Sequence, residues 1–360
     1  MLLRIHDRYI LKQYLRILAF GIFAFVAIFI TVDVFEKIDN FLDHDAKLKD
    51  IAIYYVYSAP YILTYIIPVS LLLATVFAMG MMSRRNELTA LIASGVSLVR
   101  IATPIFVTAF LVSIGSTYFN DEVVAHANRK GDEIMRYRIE RNTPPPPGIK
   151  HNFHFLGAHG FVYLARNYNH ENHALYDVVI QQFDGNSLIR RLDARRAHWK
   201  DGLWTLTDGV ERVFDKDLET VRPFDKLEMP EIEETPEEFG KKEIDQDNMT
   251  YGELLDYINR VRRSGGNVRR YLVDLYFKLS FPLAGSIFVL FGVAFASGKR
   301  KPSIATGFGV TLLVSFLYYG VLRVGQTLGH NGIMPPLLAA QLGNIIFLGI
   351  GLYSLIRANR

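Results

Sequence analysis

Six runs of apolar residues, each close to the thickness of a bilayer's hydrocarbon core, constrain this chain more than any other feature. A helix needs about 20 mainly apolar residues to cross that core. Residues 17–34, 61–82, 101–119, 274–297, 304–323 and 335–356 supply runs of that kind. Lipid offers no partner for backbone amides, so spans of this length are helices. The mean hydropathy of +0.15 hides this pattern. Residues 120–270 carry most of the charge and most of the histidines, and a uniform soluble enzyme does not segregate that way. The first run follows Arg4, Arg8, Lys12 and Arg16, as a signal peptide would. It has no small-x-small cleavage site and passes straight into Asp33, Glu36 and Asp39, so it reads as an uncleaved span.

Topology follows from the short loops. Basic residues gather at the N-terminus, at Arg84 and Arg85 after span two, at Lys299, Arg300 and Lys301 after span four, and at Arg357 and Arg360. Residues 36–50 hold five acids against three lysines, and residues 324–334 hold no Lys or Arg. Both termini are therefore expected in the cytoplasm of a bacterial inner membrane, with residues 120–270 in the periplasm. The net charge of +4 is spent on this asymmetry, and nucleic acid is not an expected partner. With no cysteine, the outer domain must hold together by packing, without disulfides.

Three segments are expected: 1–119 with spans one to three, 120–270 outside the membrane, and 271–360 with spans four to six. Pro144–Pro147 with Gly148 read as a stiff entry linker. Phe153, Phe155, Phe161, Tyr163, Val178–Ile180, Leu188–Leu192, Trp204–Leu206 and Val210–Phe214 then alternate as strands. Asp184-Gly185-Asn186, Asp201-Gly202 and Asp208-Gly209 carry hairpin-turn chemistry, and Trp199 and Trp204 can pair across one of these turns. Short strands without intervening helices, over about 150–245, point to an antiparallel sandwich or β-jelly roll. A helix over 250–263 follows the acidic stretch Glu231–Glu238. Thr250 and Glu253 have capping-box spacing, Leu254, Leu255, Ile258 and Val261 form its apolar side, and Gly265-Gly266 ends it.

No catalytic constellation is present. Gly298-Lys299 precedes Arg300, and Val293 stands where a P-loop's first glycine belongs, so ATP hydrolysis by this chain is not expected. His151, His154, His159, His170, His173 and His198 include His-x-x-His spacing, but strand geometry sets residues three apart on opposite faces. Solvated loop histidines are the simpler reading, and neither metal nor cofactor is expected. Ionisable groups in or beside spans carry more information, because burying a charge in hydrocarbon is costly without water, partner or ligand. Lys278 lies inside span four, Arg323 ends span five on the outer side, and Lys37 follows span one on that side. Lys37 and Arg323 either snorkel to the interface or meet a phosphorylated or carboxylated amphiphile; Lys278 points to a polar cavity. Gly285, Gly292, Gly307, Gly309, Gly343, Gly349 and Gly351 permit close helix contacts with a partner.

The loop Ser83-Arg84-Arg85-Asn86-Glu87-Leu88-Thr89-Ala90-Leu91-Ile92-Ala93-Ser94-Gly95 is the most informative. Asn86 can cap a helix over about 86–94, Glu87 complements its dipole, and Gly95 can stop it. Leu88, Leu91 and Ile92 share a face. Two turns are not stable alone. The helix therefore either lies on the membrane as a connector or docks onto a soluble partner.

Four features stand together: Asp7-Arg8-Tyr9-Ile10, Val32-Asp33-Val34-Phe35-Glu36-Lys37, Arg85-Asn86-Glu87-Leu88 with Ala93-Ser94-Gly95, and Lys278-Leu279-Ser280-Phe281-Pro282. In these the chain resembles the lipopolysaccharide export permease family (LptF/LptG), and its G member more than its F member. The order of three spans, a β-domain and three spans matches as well. The resemblance implies pairing with a homologous permease (LptF-like) around a cavity that takes lipopolysaccharide. It implies that a cytoplasmic ATPase dimer (LptB-like) binds ATP and engages residues 86–94, with Arg85, Asn86, Glu87, Leu88, Leu91 and Ile92 as coupling residues. It further implies a periplasmic bridge continued by LptC-like and LptA-like proteins, and lipid phosphates near Lys37, Lys278 and Arg323. The tetraproline and the acidic stretch depart from the family pattern. Alternatives are a scaffold or sensor with a ligand-binding outer domain, a permease for another lipid or for lipoproteins, and, last, an intramembrane enzyme.

Overall fold

The computed structural model describes residues 5–141, 148–184, 187–215, 218–240, 245–263, 266–296 and 303–358. Pro144–Pro147, Gly185, Asn186, Gly265, Lys299–Lys301, Arg4 and Arg360 lie outside them. The chain divides into two compact units, residues Met1–Asn142 with Leu272–Arg360, and residues Thr143–Tyr271.

The first unit is helical. Among the described residues, six helical segments are long and apolar enough to cross a membrane. They contain α1 (Ile5–Asp43), α2 (Leu48–Arg84), α4 (Leu98–Phe119), α8 and α9 (Arg269–Ser280 and Ala284–Ala296), α10 (Ile304–His330) and α11 (Pro336–Ala358). The short α3 (Glu87–Ala93) separates α2 from α4. At about 1.5 Å per residue the 39 residues of α1 span nearly twice the hydrocarbon thickness, so the helix outruns its apolar core at both ends.

Span three does not stop at residue 119. It continues through a π-turn (Asn120–Val124), α5 (Ala125–Ile134) and a second π-turn ending at Ile139. Sequence reasoning assigned residues 120–142 to the outer domain because of their charge; the compact unit there begins at Thr143. The extension is amphipathic, with Val124, Ala125, Ile134 and Ile139 buried. It packs on α2, where Gly131 faces Tyr57 and Ser58.

The glycines of the later spans serve packing within the chain. A Cβ on Gly285 would come 2.6 Å from Leu71, and one on Gly292 2.6 Å from Thr75, both on α2. Gly307 also faces α2, Gly343 faces Leu322 and Gly351 faces Phe291, which leaves Gly309 and Gly349 in open space for an outside partner. Span four breaks at Phe281–Leu283, a single 3-10 turn containing Pro282. The break is closed by side chains. Asn344 Nδ2 donates to the Ser280 carbonyl at 2.9 Å, Ser280 Oγ donates to the Ala340 carbonyl at 2.7 Å, and Tyr318 Oη donates to Asn344 Oδ1 at 2.6 Å.

The second unit is one six-stranded antiparallel sheet in the order β1-β2-β3-β4-β5-β6. The strands are Ile149–Leu156, Phe161–Asn169, Ala174–Asp184, Ser187–Lys200, Leu203–Asp215 and Leu218–Met229. The expected antiparallel β-domain is present, with every strand beside its chain neighbour rather than in a sandwich's two-layer order. Asp201-Gly202 forms the expected two-residue turn, both residues having positive φ (53° and 82°), and Trp199 pairs with Trp204 across it. Asp208-Gly209 is not a turn and lies within β5.

Asp208 takes positive φ inside the strand, as do Asn152 in β1 and Asp177 in β3. The registers put Asn152, Arg166, Asp177, Arg195, Asp208 and Asp225 in one row across the sheet. All six are exposed, and inward alternation slips one position at the row, from Ala165 to Tyr168, Leu175 to Val178 and Ala194 to Ala197. Residues on both sides of this crease thereby bury into one core. Asp and Asn tolerate left-handed backbone better than other side-chain-bearing residues. The same preference that makes Asp-Gly a turn signal makes it a crease here.

The segment after β6 covers that core. Phe239 is fully buried, and its ring centroid lies 4.9–5.9 Å from those of Phe153, Phe155, Tyr163, Tyr168 and Trp204. α7 (Tyr251–Arg263) starts with the expected capping box, Glu253 Oε2 accepting from Thr250 N at 2.8 Å. Leu254, Ile258 and Val261 are buried, while Leu255, expected on the same side, is exposed.

Candidate functional site

One end of the helical unit gathers the loop singled out in the sequence. Gly95, at φ 87°, stops α3: its N–H donates to the Ile92 carbonyl and that of Val96 to the Leu91 carbonyl, the paired bonds of a Schellman stop. Asn86 stands at the start but adopts left-handed backbone and its side chain does not cap the helix. The expected apolar docking face is divided. Leu88 is buried in the chain's own core with Ile10, Tyr14, Leu98 and Ile101, and Leu91 packs against that cluster. Ile92 remains exposed, beside exposed Arg85, Thr89 and Ala93. A seven-residue helix has too little surface to satisfy both the bundle and a partner with one stripe, and the bundle takes Leu88.

Glu87 is held. Tyr9 Oη donates to both of its carboxylate oxygens, at 3.2 and 3.1 Å, and Arg85 lies 3.8 Å away. Close by in sequence, Asp7 receives a two-pronged pair from Arg100 at 2.9 and 2.8 Å, and His6 lies 3.2 Å from it. Asp7 is 4% exposed. Sequence reasoning missed this pair, because contacts 93 residues apart leave no local spacing signal.

The three cations that the resemblance sets near lipid phosphates lie in different surroundings. Lys37 lies within α1, and donates to Asp33 at 2.9 Å and to Tyr54 Oη at 2.8 Å, while Tyr55 Oη donates to the same Asp33. Its charge is balanced within the chain, since i and i+4 on one helix face meet. Arg323 is exposed and donates to Gln326 at 2.9 Å; Gln326 in turn donates to Asp274, which also pairs with His330 at 2.8 Å. Lys278 is partly buried. Lys37 and Arg323 thus belong to separate networks. An open pocket of about 380 Å³ is lined by Lys47, Asp50, Arg138 and Arg141, with Arg138 3.8 Å from Asp50, and sequence reasoning did not bring these residues together. Arg138 comes from the extension of span three and Arg141 from just after its end, a segment that charge alone had placed in another domain.

In the β unit, His170 and His173 meet edge to face at 5.6 Å between centroids, and among the described residues no three metal-ligating side chains converge. Glu234 is a structural carboxylate, accepting from Tyr163 Oη at 2.6 Å and from the Ala158 N–H. Burial and the Glu234 charge raise the Tyr163 phenol far above its ordinary range, so it donates at any physiological pH.

In sequence, the antiparallel β unit is inserted between two sets of three candidate spans. The family model described as "Lipopolysaccharide export system permease LptF/LptG" matches residues 8–357. The chain belongs to that family. Among curated relatives, the lipopolysaccharide export system permease protein LptG of Escherichia coli K12 is 22% identical, with 98% of each chain covered. The protein of the same name from Haemophilus influenzae is 23% identical over 78% of each chain. The family match runs over the six candidate spans and the sheet, so the family anticipated from four short motifs holds over nearly the whole chain, and the relatives named here are LptG proteins.

Proposed function

We propose that this chain is the permease subunit of an ABC transporter that extracts lipopolysaccharide from the bacterial inner membrane. It passes the lipid to a periplasmic bridge leading toward the outer membrane. Both termini and α3 face the cytoplasm, and the β unit lies in the periplasm. The observation that carries this reading is the match of a lipopolysaccharide export permease model to residues 8–357.

A separate ATPase dimer (LptB-like) binds and hydrolyses ATP and docks on the exposed side of α3, at Arg85, Asn86 and Ile92, next to Glu87. A homologous permease (LptF-like) faces the open side of this chain, and LptC-like and LptA-like proteins extend the bridge. The open side is visible in span one, where 11% of the apolar window of α1 is buried within the chain, against 72% for α2. Exposed Phe20, Phe23, Val32 and Phe35 give that side the apolar surface that acyl chains or a partner helix would cover. Lys47, Arg138 and Arg141 outnumber Asp50 around their pocket and suit a lipid phosphate. Arg323 and Lys278 offer further positive charge along spans four and five.

Mass spectrometry of the complex purified in mild detergent tests this reading. The expected particle holds a P-loop ATPase, a second six-span permease and bound lipopolysaccharide. A chain recovered alone, or with a soluble signalling protein and no glycolipid, would favour the scaffold reading.

A further inference from the structure

The motif Asp7-Arg8-Tyr9-Ile10 marks the resemblance, yet nothing above gives it a task. We propose that Asp7 and Tyr9 are positioning residues that clamp span one to the ATPase-docking segment α3, so that movement of α3 is delivered to α1. The inference rests on the transporter reading and adds the route by which force reaches the span with the open face.

The geometry carries it in three parts. Tyr9 ties α1 directly to α3 through both oxygens of Glu87. Asp7 ties α1 to α4 through the two-pronged Arg100 pair, and Ser97 Oγ caps α4 by accepting from Arg100 N at 3.3 Å. Leu88 of α3, Ile10 and Tyr14 of α1, and Leu98 and Ile101 of α4 then fill one core cluster beneath these polar contacts. The start of α1, α3 and the start of α4 are therefore bound to one another in two ways, by apolar packing and by directional charge-assisted bonds. The middle of α1 is more loosely held. Its buried positions Asp7, Ile10, Tyr14, Leu18 and Gly21 recur at helical spacing and then cease until Phe41, where Tyr54 and Tyr55 of α2 also bond Lys37 and Asp33. A helix gripped over its first four turns and open through its middle transmits a displacement of the grip along that stretch, because the backbone ladder is stiff. Loss of Arg100 would break the grip, since Asp7 would be left a buried charge without its partner.

The test uses the full complex with ATPase and partner permease in liposomes, and reads ATP turnover, ATPase co-purification and lipopolysaccharide moved per ATP. Tyr9→Phe and Asp7→Asn are expected to keep turnover within about twofold of wild type while transport per ATP falls by about fivefold or more. The exchange Asp7→Arg with Arg100→Asp should recover most of the loss caused by Asp7→Asn. A merely structural role would instead lower yield, turnover and transport together, and that result, or an unchanged transport ratio, overturns the inference. The chain has no cysteine, so spin labels at Lys12→Cys and Thr89→Cys supply a second readout that needs no transport. Their separation is expected to stay constant between nucleotide-free and ATP-trapped complexes, and to broaden in Tyr9→Phe; a separation that changes with nucleotide in the otherwise wild-type chain contradicts the clamp. If Glu87→Ala abolishes co-purification while Tyr9→Phe does not, docking and clamping are separated. A wild-type complex that holds no ATPase sinks the transporter reading, and this inference with it.

Discussion

Phe239 holds a position in the β unit that no strand residue shares, since five aromatic rings from β1, β2 and β5 converge on it. Around it, Trp204 Nε1 donates to the Glu234 carbonyl and Tyr168 Oη to that of Pro236, both at 2.7 Å, which fixes the covering segment. Burial pushes the Tyr168 phenol up to about 12, so it remains a donor. Truncating a buried Phe costs about 3–5 kcal/mol through lost transfer energy and the cavity left behind. Phe239→Ala is therefore expected to lower the unfolding free energy of the β unit by that amount, read as a lower denaturant midpoint. Both tryptophans, Trp199 and Trp204, lie in this unit, so intrinsic fluorescence during denaturant titration reports its unfolding directly. His198 provides a pH dependence. Burial, then Arg196, Lys200 and Lys226, hold its imidazole below the ordinary histidine range. The unfolded chain consequently takes up a proton at a higher pH than the folded one. Stability is complete above the ordinary pKa and falls as pH drops through it. His198→Gln should flatten the decline of the fluorescence midpoint between about pH 7 and 5 relative to wild type; equal slopes would show that His198 is not its source.

At the scale of elements, the crease across the sheet and the break in span four both place backbone irregularity where side chains support it. Gly209 follows the left-handed Asp208, and a Cβ there would fall 2.5 Å from the Asp193 carbonyl oxygen and 2.4 Å from the Phe224 ring. Gly209→Ala is expected to cost about 1–3 kcal/mol by overpacking, read as a lower fluorescence midpoint. An unaffected midpoint would mean that β5 and β6 separate at little cost. The crease also marks where sequence reasoning reaches its end. Asp201-Gly202 and Asp208-Gly209 carry identical local chemistry, and the register with β4 and β6 decides that one turns the chain and the other bends a strand. The six spans were legible because twenty apolar residues have few alternatives. The amphipathic extension of span three was not, since its charge conceals Val124, Ala125, Ile134 and Ile139 at buried positions. At α3, the Schellman stop at Gly95 was legible, whereas the burial of Leu88 and the Tyr9–Glu87 contact depend on where α1 lies. Lys37 was found as a cation just after span one, but Tyr54 and Tyr55, which with Asp33 complete its network, come from a different helix.

For the whole molecule, the distribution of burial matters more than any single contact. α2 is the packing centre of the helical unit, lined by α1, α5, α9 and α10, while α1 and α10 keep apolar faces open, as at Phe23 and Phe316. Such faces meet lipid or a partner helix in a membrane. The central claim is that the chain moves lipopolysaccharide at the expense of ATP hydrolysed elsewhere. Its most direct test is a proteoliposome experiment in which the purified complex, loaded with lipopolysaccharide, is given ATP, and the lipid delivered to an added bridge-type acceptor protein is measured. The account predicts ATP-dependent transfer that disappears when the ATPase partner is catalytically dead and when this chain is omitted. Transfer that continues without this chain, or ATP turnover indifferent to it with no lipid delivered, would contradict the account.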